Sequence, residues 1–383
     1  MQVTVSVHGR YHAFELARGL FDRGILARLL TTYPGLAVHR VIGPDIPVRT
    51  APLLELRRRL YDRTGWGGKP DLSIARQFGR FAGQNLPDGS DLLVGWSSAT
   101  LEAIGPAQAR GMKVVIERGS THIAVQSQVL KEAYRRCGLA CQPTDPEMIE
   151  REEREYTAAD MITVPSRHAA RSFVDRGIAA DRLLVNAPGV DLTRTAGPIN
   201  RPESRTPVIL FAGGVGVRKG VPWLLQAFQK LRGRAQLHLY GPIEPGFAEV
   251  LQKYRSDGLV IHGPVSSGQL ARAYAGADIF CLPSVEEGFG MVVPEAMAAG
   301  LPVVLSDAVG ACDVMTDDQE GLIVPAMDEN ALFEALDVLA GDPGRRRKMA
   351  AAAVRRVTDG CTWEAYTERA VRGYSAVLAR SAR

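Results

Sequence analysis

Two spacings of apolar residues alternate along the chain. Short apolar runs at 25–30, 91–95, 113–116 and 161–164, and the alternating run at 2–7, have the length and flanks of buried strands. Between them, apolar positions recur every three or four residues, as Phe14, Leu16, Ala17, Leu20 and Phe21 do over 11–21. Strand, glycine turn, helix, strand is the βαβ unit, and it predicts a parallel sheet. The alternation lapses over 33–90, where Pro34, Pro44, Pro47 and Pro52 interrupt it and only a basic amphipathic helix at 53–61 is expected. It resumes with an acidic helix at 145–158 and a strand at 182–185. Residues 192–207 have little apolar pattern and hold Pro198, Pro202 and Pro207, which predicts an interdomain linker. A second series starts at 208–212 and continues through strands at 236–240, 259–261, 278–282 and 302–305. The pattern predicts an α/β protein of two doubly wound, Rossmann-like halves, 1–191 and 208–361.

A length of 383 residues suits two domains, and 46% hydrophobic with 23% charged residues is the balance of a soluble globular chain. A formal charge of +4 is small for that length and argues against nucleic acid as the main partner. No run reaches the roughly 20 apolar residues of a bilayer span, and the alternating N-terminus has no basic leader region. A cytoplasmic protein is expected. The basic helix at 53–61 is compatible with peripheral contact to an anionic membrane face, although such a helix is more often simply a solvated surface helix. The cysteines at 137, 141, 281, 312 and 361 are odd in number and scattered, which predicts reduced thiols and no metal site.

In a parallel sheet, function gathers at the carboxyl ends of strands. That places His8, Gly9, Arg10 and His12 at a candidate site, and with them the cluster Glu117-Arg118-Gly119-Ser120-Thr121-His122, a candidate acceptor or catalytic pocket. The second half offers two glycine-rich turns. Gly213 to Gly220 contains Gly214 and the adjacent cations Arg218 and Lys219, which can hold a diphosphate without a metal. It lacks the order of a P-loop and of Gly-x-Gly-x-x-Gly. The other turn spans Ser284 to Glu295, with Pro294 expected as the first helical residue and Glu295 at the positive end of the helix dipole. Two such turns fit a nucleotide with attached phosphates, Glu295 meeting the ribose and Glu287 whatever the diphosphate carries.

Ser284-x-x-Glu287-Gly288-Phe289-Gly290-x4-Glu295-Ala296-Met297-Ala298-x-Gly300-x-Pro302-Val303 closely resembles the Glu-x7-Glu signature of the family four retaining glycosyltransferases, which have the GT-B fold. Lys219-Gly220 with Leu224-Leu225-x-Ala227 is similar to the family's phosphate-binding turn, Gly189-Val190-Asp191 to its Gly-Val-Asp, and Thr362-Trp363-Glu364 to the start of its final helix. Gly310, Asp313 and Gly321 fall where its later loop expects them. The resemblance implies two Rossmann-like domains across a cleft, with a final helix over about 362–383 returning to the first. It implies transfer of a sugar from a nucleoside-diphosphate sugar to a glycan, lipid-linked or small-molecule acceptor, with retention and with no metal or other cofactor. Arg218 and Lys219 would bind the diphosphate. Gly288, Phe289 and Gly290 would lie along the donor, with Gly213, Gly214, Met291 and Val292 beside it. Glu287 would bond the transferred sugar and Glu295 the ribose. Gly9, Arg10, His12, Glu117 and Arg118 would line the acceptor side. The family's first-domain histidine falls at about Arg118, and His122 is the expected substitute. An arginine common five residues before the lysine is here Gly214. A sugar-nucleotide epimerase or hydrolase and a non-catalytic binding protein are the competing readings on the same fold.

Overall fold

The computed structural model describes residues 1–65, 68–191, 206–358 and 360–380. Most of the expected linker, residues 192–205, lies outside them. The first sheet contains β1 (Val3–Val7), β2 (Leu26–Thr31), β3 (Val48–Thr50), β4 (Leu92–Trp96), β5 (Lys113–Glu117), β6 (Met161–Val164) and β7 (Leu183–Val185). The second contains β8 (Val208–Ala212), β9 (Gln236–Tyr240), β10 (Leu259–Gly263), β11 (Ile279–Leu282), β12 (Val303–Ser306) and β13 (Gly321–Val324). Every pairing is parallel, in the orders β3-β2-β1-β4-β5-β6-β7 and β10-β9-β8-β11-β12-β13. Both sheets therefore run outward in two directions from a central pair, β1/β4 and β8/β11.

Alternation of side chains across each strand builds a core on both faces of the first sheet. Leu92, Val94 and Trp96 join one core with Val3, Val5, Val7 and Phe14, while Leu93 joins the other with Phe78, Ile116 and Tyr156. The helix Trp363–Arg380 crosses back to the first of these cores, where Tyr366 and Tyr374 are fully buried. It lies on the helix Ala13–Asp22 at Gly19, where a Cβ would collide with Thr367. The second sheet has its own core around Phe211, Trp223, Phe280 and Met297. No helix among the described residues is long and apolar enough to cross a membrane.

The Pro-rich stretch after residue 33 is more regular than its sequence suggests. It holds the helices Gly35–Ile42, Pro52–Thr64 and Asp71–Gln84 and the edge strand β3. Pro34 and Pro70 are N-caps and Pro52 is the first helical residue. At a helix start the missing N–H has no intrahelical partner to lose, so these prolines begin helices rather than break them. The same tolerance shifts the helix after the second glycine turn. It runs over Val292–Ala298, so Pro294 is its third residue and not its first.

Candidate active site

A doubly wound sheet leaves a crevice outside the carboxyl ends of its strands where the strand order reverses. Here two crevices face each other. The loops after β1, β4, β5 and β6 approach from the first sheet and the loop after β11 from the second. They enclose a cleft of about 570 Å³, lined by His8, His12, Trp96 and Ser98 on one side and Glu287, Phe289, Gly290 and Met291 on the other. That volume suits a substrate of moderate size. Two lining residues, Tyr11 (φ 40°) and Ser98 (φ 71°), are non-glycines in left-handed conformation, a strain that persists only where the surroundings impose it. At Ser98 the imposition is visible. The buried Glu155 carboxylate accepts the N–H groups of Ser98 (2.6 Å), Thr100 (2.8 Å) and Leu101 (2.8 Å), and so caps the helix Leu101–Gln108.

The two glycine turns of the second domain are built against each other. Gly220 sits at φ 72°, and a Cβ there would collide with the Pro283 carbonyl. The Val285 N–H donates to the Arg218 carbonyl at 2.9 Å. This close approach carries Lys219 onto the Glu287 carboxylate, with which its ammonium makes a direct ion pair. Arg218 donates to the Glu286 carbonyl at 3.0 Å and lies 3.8 Å from Glu287. Burial and the adjacent Arg218 push the Lys219 ammonium down to about 7. The loop backbone is stapled from behind: Glu287 N–H to the Ala308 carbonyl (3.1 Å), Gly310 N–H to the Glu287 carbonyl (3.0 Å) and Ala311 N–H to the Phe289 carbonyl (2.8 Å). The arrangement is a fixed loop whose Glu287 carboxylate lines the cleft with two cations packed against it.

Glu286 turns the other way. It is almost fully buried and reaches into the first domain, where it accepts from the hydroxyls of Ser120 and Thr121 (the latter 2.9 Å), from Thr121 N–H (3.3 Å) and from Gln126 Nε2 (2.9 Å). Burial alone would raise its carboxyl, but hydrogen bonds from Ser120, Gln126 and Thr121 and the charge of Arg218 hold it at about 2. Two more contacts join the domains nearby. Ser166 Oγ donates to the Gly288 carbonyl at 2.8 Å, and Arg167 N–H donates to Asp313 at 2.5 Å. A Cβ on Gly288 would collide with the Gly119 carbonyl. The sequence held no signal for this role of Glu286, since its partners sit on a distant segment.

Not every expected site residue reaches the cleft. Glu287, Phe289, Gly290 and Met291 line it, with Gly288 in the same loop and Lys219 and Arg218 against Glu287, and His12 lines the other side. Glu295 lies on the helix behind, where Tyr274 OH donates to it at 3.3 Å, and Val292 opens that helix. Gly213 adopts φ 149° at the close of β8, with Gly214 after it. Gly9 and Arg10 line a neighbouring cavity of about 510 Å³ in the first domain, which shares His8, Tyr11 and Ser98 with the cleft. Arg118 touches the cleft, but its guanidinium is occupied by Glu152 (3.0 Å), Gln126 (2.8 Å) and the Thr121 carbonyl (3.1 Å). His122 does not reach the cleft, which corrects its expected role. Its Nδ1 accepts from Ala124 N–H at 3.2 Å as the N-cap of the helix Ile123–Arg136, and its ring packs between Tyr156 and Phe173, both 5.1 Å away. Burial pushes it down to about 4, so it is a neutral structural cap. Glu117 is buried behind the wall, 3.7 Å from His12 Nε2, and accepts from Tyr374 OH at 3.4 Å. Among the described residues no group of three or more His, Cys, Asp or Glu side chains could hold a metal ion.

The whole chain superimposes on sucrose-phosphate synthase from Thermosynechococcus elongatus with a TM-score of 0.71 at 21% identity, covering 99% of this chain and 100% of the other. The fold is GT-B. The Anabaena HepE structure in complex with UDP gives a TM-score of 0.69 at 14% identity over 98% of this chain and all of that one. The family described as Glycosyl transferases group 1 matches residues 206–342, which hold both glycine turns of the second GT-B domain. In sequence, the chain is 34% identical over 223 residues to the D-inositol 3-phosphate glycosyltransferase of Xylanimonas cellulosilytica, over 53% of this chain and 54% of that protein. It thus spans about half the length of that relative. It is 27% identical over 320 residues to a GDP-mannose-dependent alpha-(1-6)-phosphatidylinositol monomannoside mannosyltransferase of Mycolicibacterium smegmatis, covering 77% and 78% of the two chains.

Proposed function

We propose that this GT-B protein is a retaining glycosyltransferase that moves a sugar from a nucleoside-diphosphate sugar to an acceptor hydroxyl in glycoconjugate biosynthesis. The observation that carries the reading is the packing of Lys219 and Arg218 against the Glu287 loop, directly opposite the first-domain wall. A donor diphosphate on the two cations would lay its sugar along Gly288–Gly290 within reach of Glu287. As the bond to the sugar breaks, charge grows on the departing diphosphate, and preorganised cations stabilise that change. The acceptor attacks from the same face and its proton passes to the leaving phosphate oxygen, which retains the anomeric configuration. Glu295 serves the ribose.

A thermal-shift panel of UDP-, GDP- and ADP-sugars tests this, because a ligand that binds only the native state raises its stability. One nucleotide sugar should raise Tm, and NMR of its transfer product should show the anomer of the donor. Donor consumed with no acceptor requirement would favour the epimerase or hydrolase reading.

The helix Pro52–Thr64 exposes Leu53, Leu56 and Leu60 along one stripe, with Arg57 and Arg63 beside it. That pattern supports peripheral contact with an anionic membrane face. In flotation with phosphatidylglycerol vesicles the protein should rise at low salt and fall away at high salt. Sedimentation at low salt would discard the contact.

A further inference from the structure

The helix Pro146–Ala158 turns four polar side chains inward. Arg151 and Glu155, and beside them Glu152 and Tyr156, lie one turn apart on one face, and all four are buried. Buried charges persist only where partners satisfy them. The partners here belong to the loops that wall the cleft. Glu152 holds the guanidinium of Arg118, in the loop after β5. Arg151 and Glu155 hold the loop after β4, whose Trp96, Ser97 and Ser98 line the cleft.

This second grip closes around one residue. Glu155 accepts the Ser98 N–H at 2.6 Å, and Arg151 Nε–H donates to the Ser98 carbonyl. Arg151 is itself held by the Glu102 carboxylate at 2.7 Å. Helix capping accounts for only part of the arrangement. The N–H groups of Thr100 and Leu101 open the helix Leu101–Gln108 and go to Glu155. The Thr100 hydroxyl, the local group suited to capping, donates instead to the Trp96 carbonyl at 2.7 Å. Ser98 lies outside that helix, so its two bonds cap nothing. They hold a non-glycine residue at φ 71°, a conformation that L-residues rarely keep unaided. Strain of this kind collects where the position of the backbone matters to function. Ser98 is also shared, with His8 and Tyr11, between the cleft and the neighbouring cavity.

We propose that Glu155 is a positioning residue of the transfer reaction: with Arg151 it imposes the left-handed Ser98 peptide and so fixes the loop after β4 opposite the Glu287 loop. This rests on the glycosyltransferase reading of the cleft. Glu155 lies behind the wall and does not line the cleft. Its loss therefore falls on the chemical step and not on donor binding, because the donor turns belong to the other domain.

Glu155→Gln tests this in the full-length protein. The substitution is isosteric, and its amide oxygen still accepts from Thr100 and Leu101, so the cap is kept. Its NH2 group then meets the Ser98 N–H, donor against donor. With the donor found in the thermal-shift panel, kcat should fall about 10–100-fold, the scale of a wall displaced by about 1 Å, with donor KM unchanged. Adding Ser98→Gly should restore most of that loss, because glycine takes the left-handed conformation without being forced. Ser98→Gly alone should raise Tm and keep transfer near wild type. A merely structural Glu155 would lose Tm, and Ser98→Gly would not recover its kcat. Unchanged transfer in Glu155→Gln, failure of Ser98→Gly to restore it, or loss of transfer in Ser98→Gly alone overturns the inference while the donor reading stands. A crystal structure of Glu155→Gln reads the backbone without substrate. Ser98 should move to negative φ there, and a Ser98 that keeps its positive φ overturns the inference as well. If no nucleotide sugar binds the wild-type protein, the donor reading fails, and a relaxed Ser98 in that crystal structure still upholds Glu155 as the positioning residue of the cleft.

Discussion

Replacing Lys219 with alanine is expected to lower sugar transfer by about 10²–10³-fold, the usual cost of removing one preorganised group that stabilises developing negative charge. Lys219 is mostly buried and ion-paired to Glu287 in a loop whose backbone is fixed on both sides. Alanine leaves that backbone intact but leaves Glu287 without its direct cation. Both the charge on the leaving diphosphate and the position of the carboxylate then suffer, so kcat should fall more than donor KM rises. Turnover close to wild type would show that the diphosphate lies elsewhere. A pH dependence accompanies the mutation. Burial and Arg218 bring the ammonium down to about 7. A diphosphate favours the charged form, so binding takes up a proton, and affinity should fall as pH rises above about 7, by at most about tenfold per unit. Calorimetry with UDP or GDP between about pH 6 and 9 reads this directly. The slope should disappear in Lys219→Ala.

Glu286→Ala is expected to release the two domains from each other. The carboxylate accepts from Ser120, Thr121 and Gln126 across the domain boundary and also lies 3.4 Å from Arg218. Removing one partner of such a buried network costs about 3–5 kcal/mol, since the remaining groups are left unpaired. The loss falls on domain closure rather than on either core, because neither sheet depends on Glu286. Transfer should drop by about two orders of magnitude, the scale of a loosened near-attack geometry. Nucleotide binding to the second domain should largely persist. Small-angle scattering should show a larger radius of gyration, and hydrogen exchange should rise at Ser120–Gln126. Unchanged scattering together with unchanged turnover would mean that Ser166 and Arg167 suffice to hold the interface. The clasp also has a definite pH range. Its carboxyl is depressed from 4.5 to about 2. Its contribution is therefore complete above about 4.5 and is lost as pH falls towards 2.

Much of this molecule is readable along the chain. Most strands of both sheets and the two glycine turns follow from local pattern, because buried parallel strands need apolar runs and tight strand-to-helix turns need glycine, whereas the short edge strands β3 and β13 do not. The Pro-rich stretch misled, since Pro34, Pro52 and Pro70 mark helix starts as readily as breaks. The spacing of Glu287 and Glu295 and the cations at 218 and 219 are likewise properties of the sequence alone. The division of labour between neighbours is not. Glu286 and Glu287 are adjacent in sequence, yet one reaches Lys219 in its own domain and the other Ser120 in the opposite domain, 166 residues away along the chain: Glu287 makes the first of these contacts and Glu286 the second. The same holds on the other wall. Arg118 and His122 lie in the expected loop, but the helix Pro146–Ala158 presents Glu152 and Tyr156 and draws both side chains inward. His12, from an earlier loop, faces the cleft because Glu117 and the final helix support it from behind. The sequence by itself determined the two-sheet frame and the residues of the two glycine turns, since these depend on local spacing and backbone freedom. Only the tertiary structure decided which carboxylate joins the domains and which histidine lines the cleft, because burial and pairing are set by partners that meet only when the chain is folded.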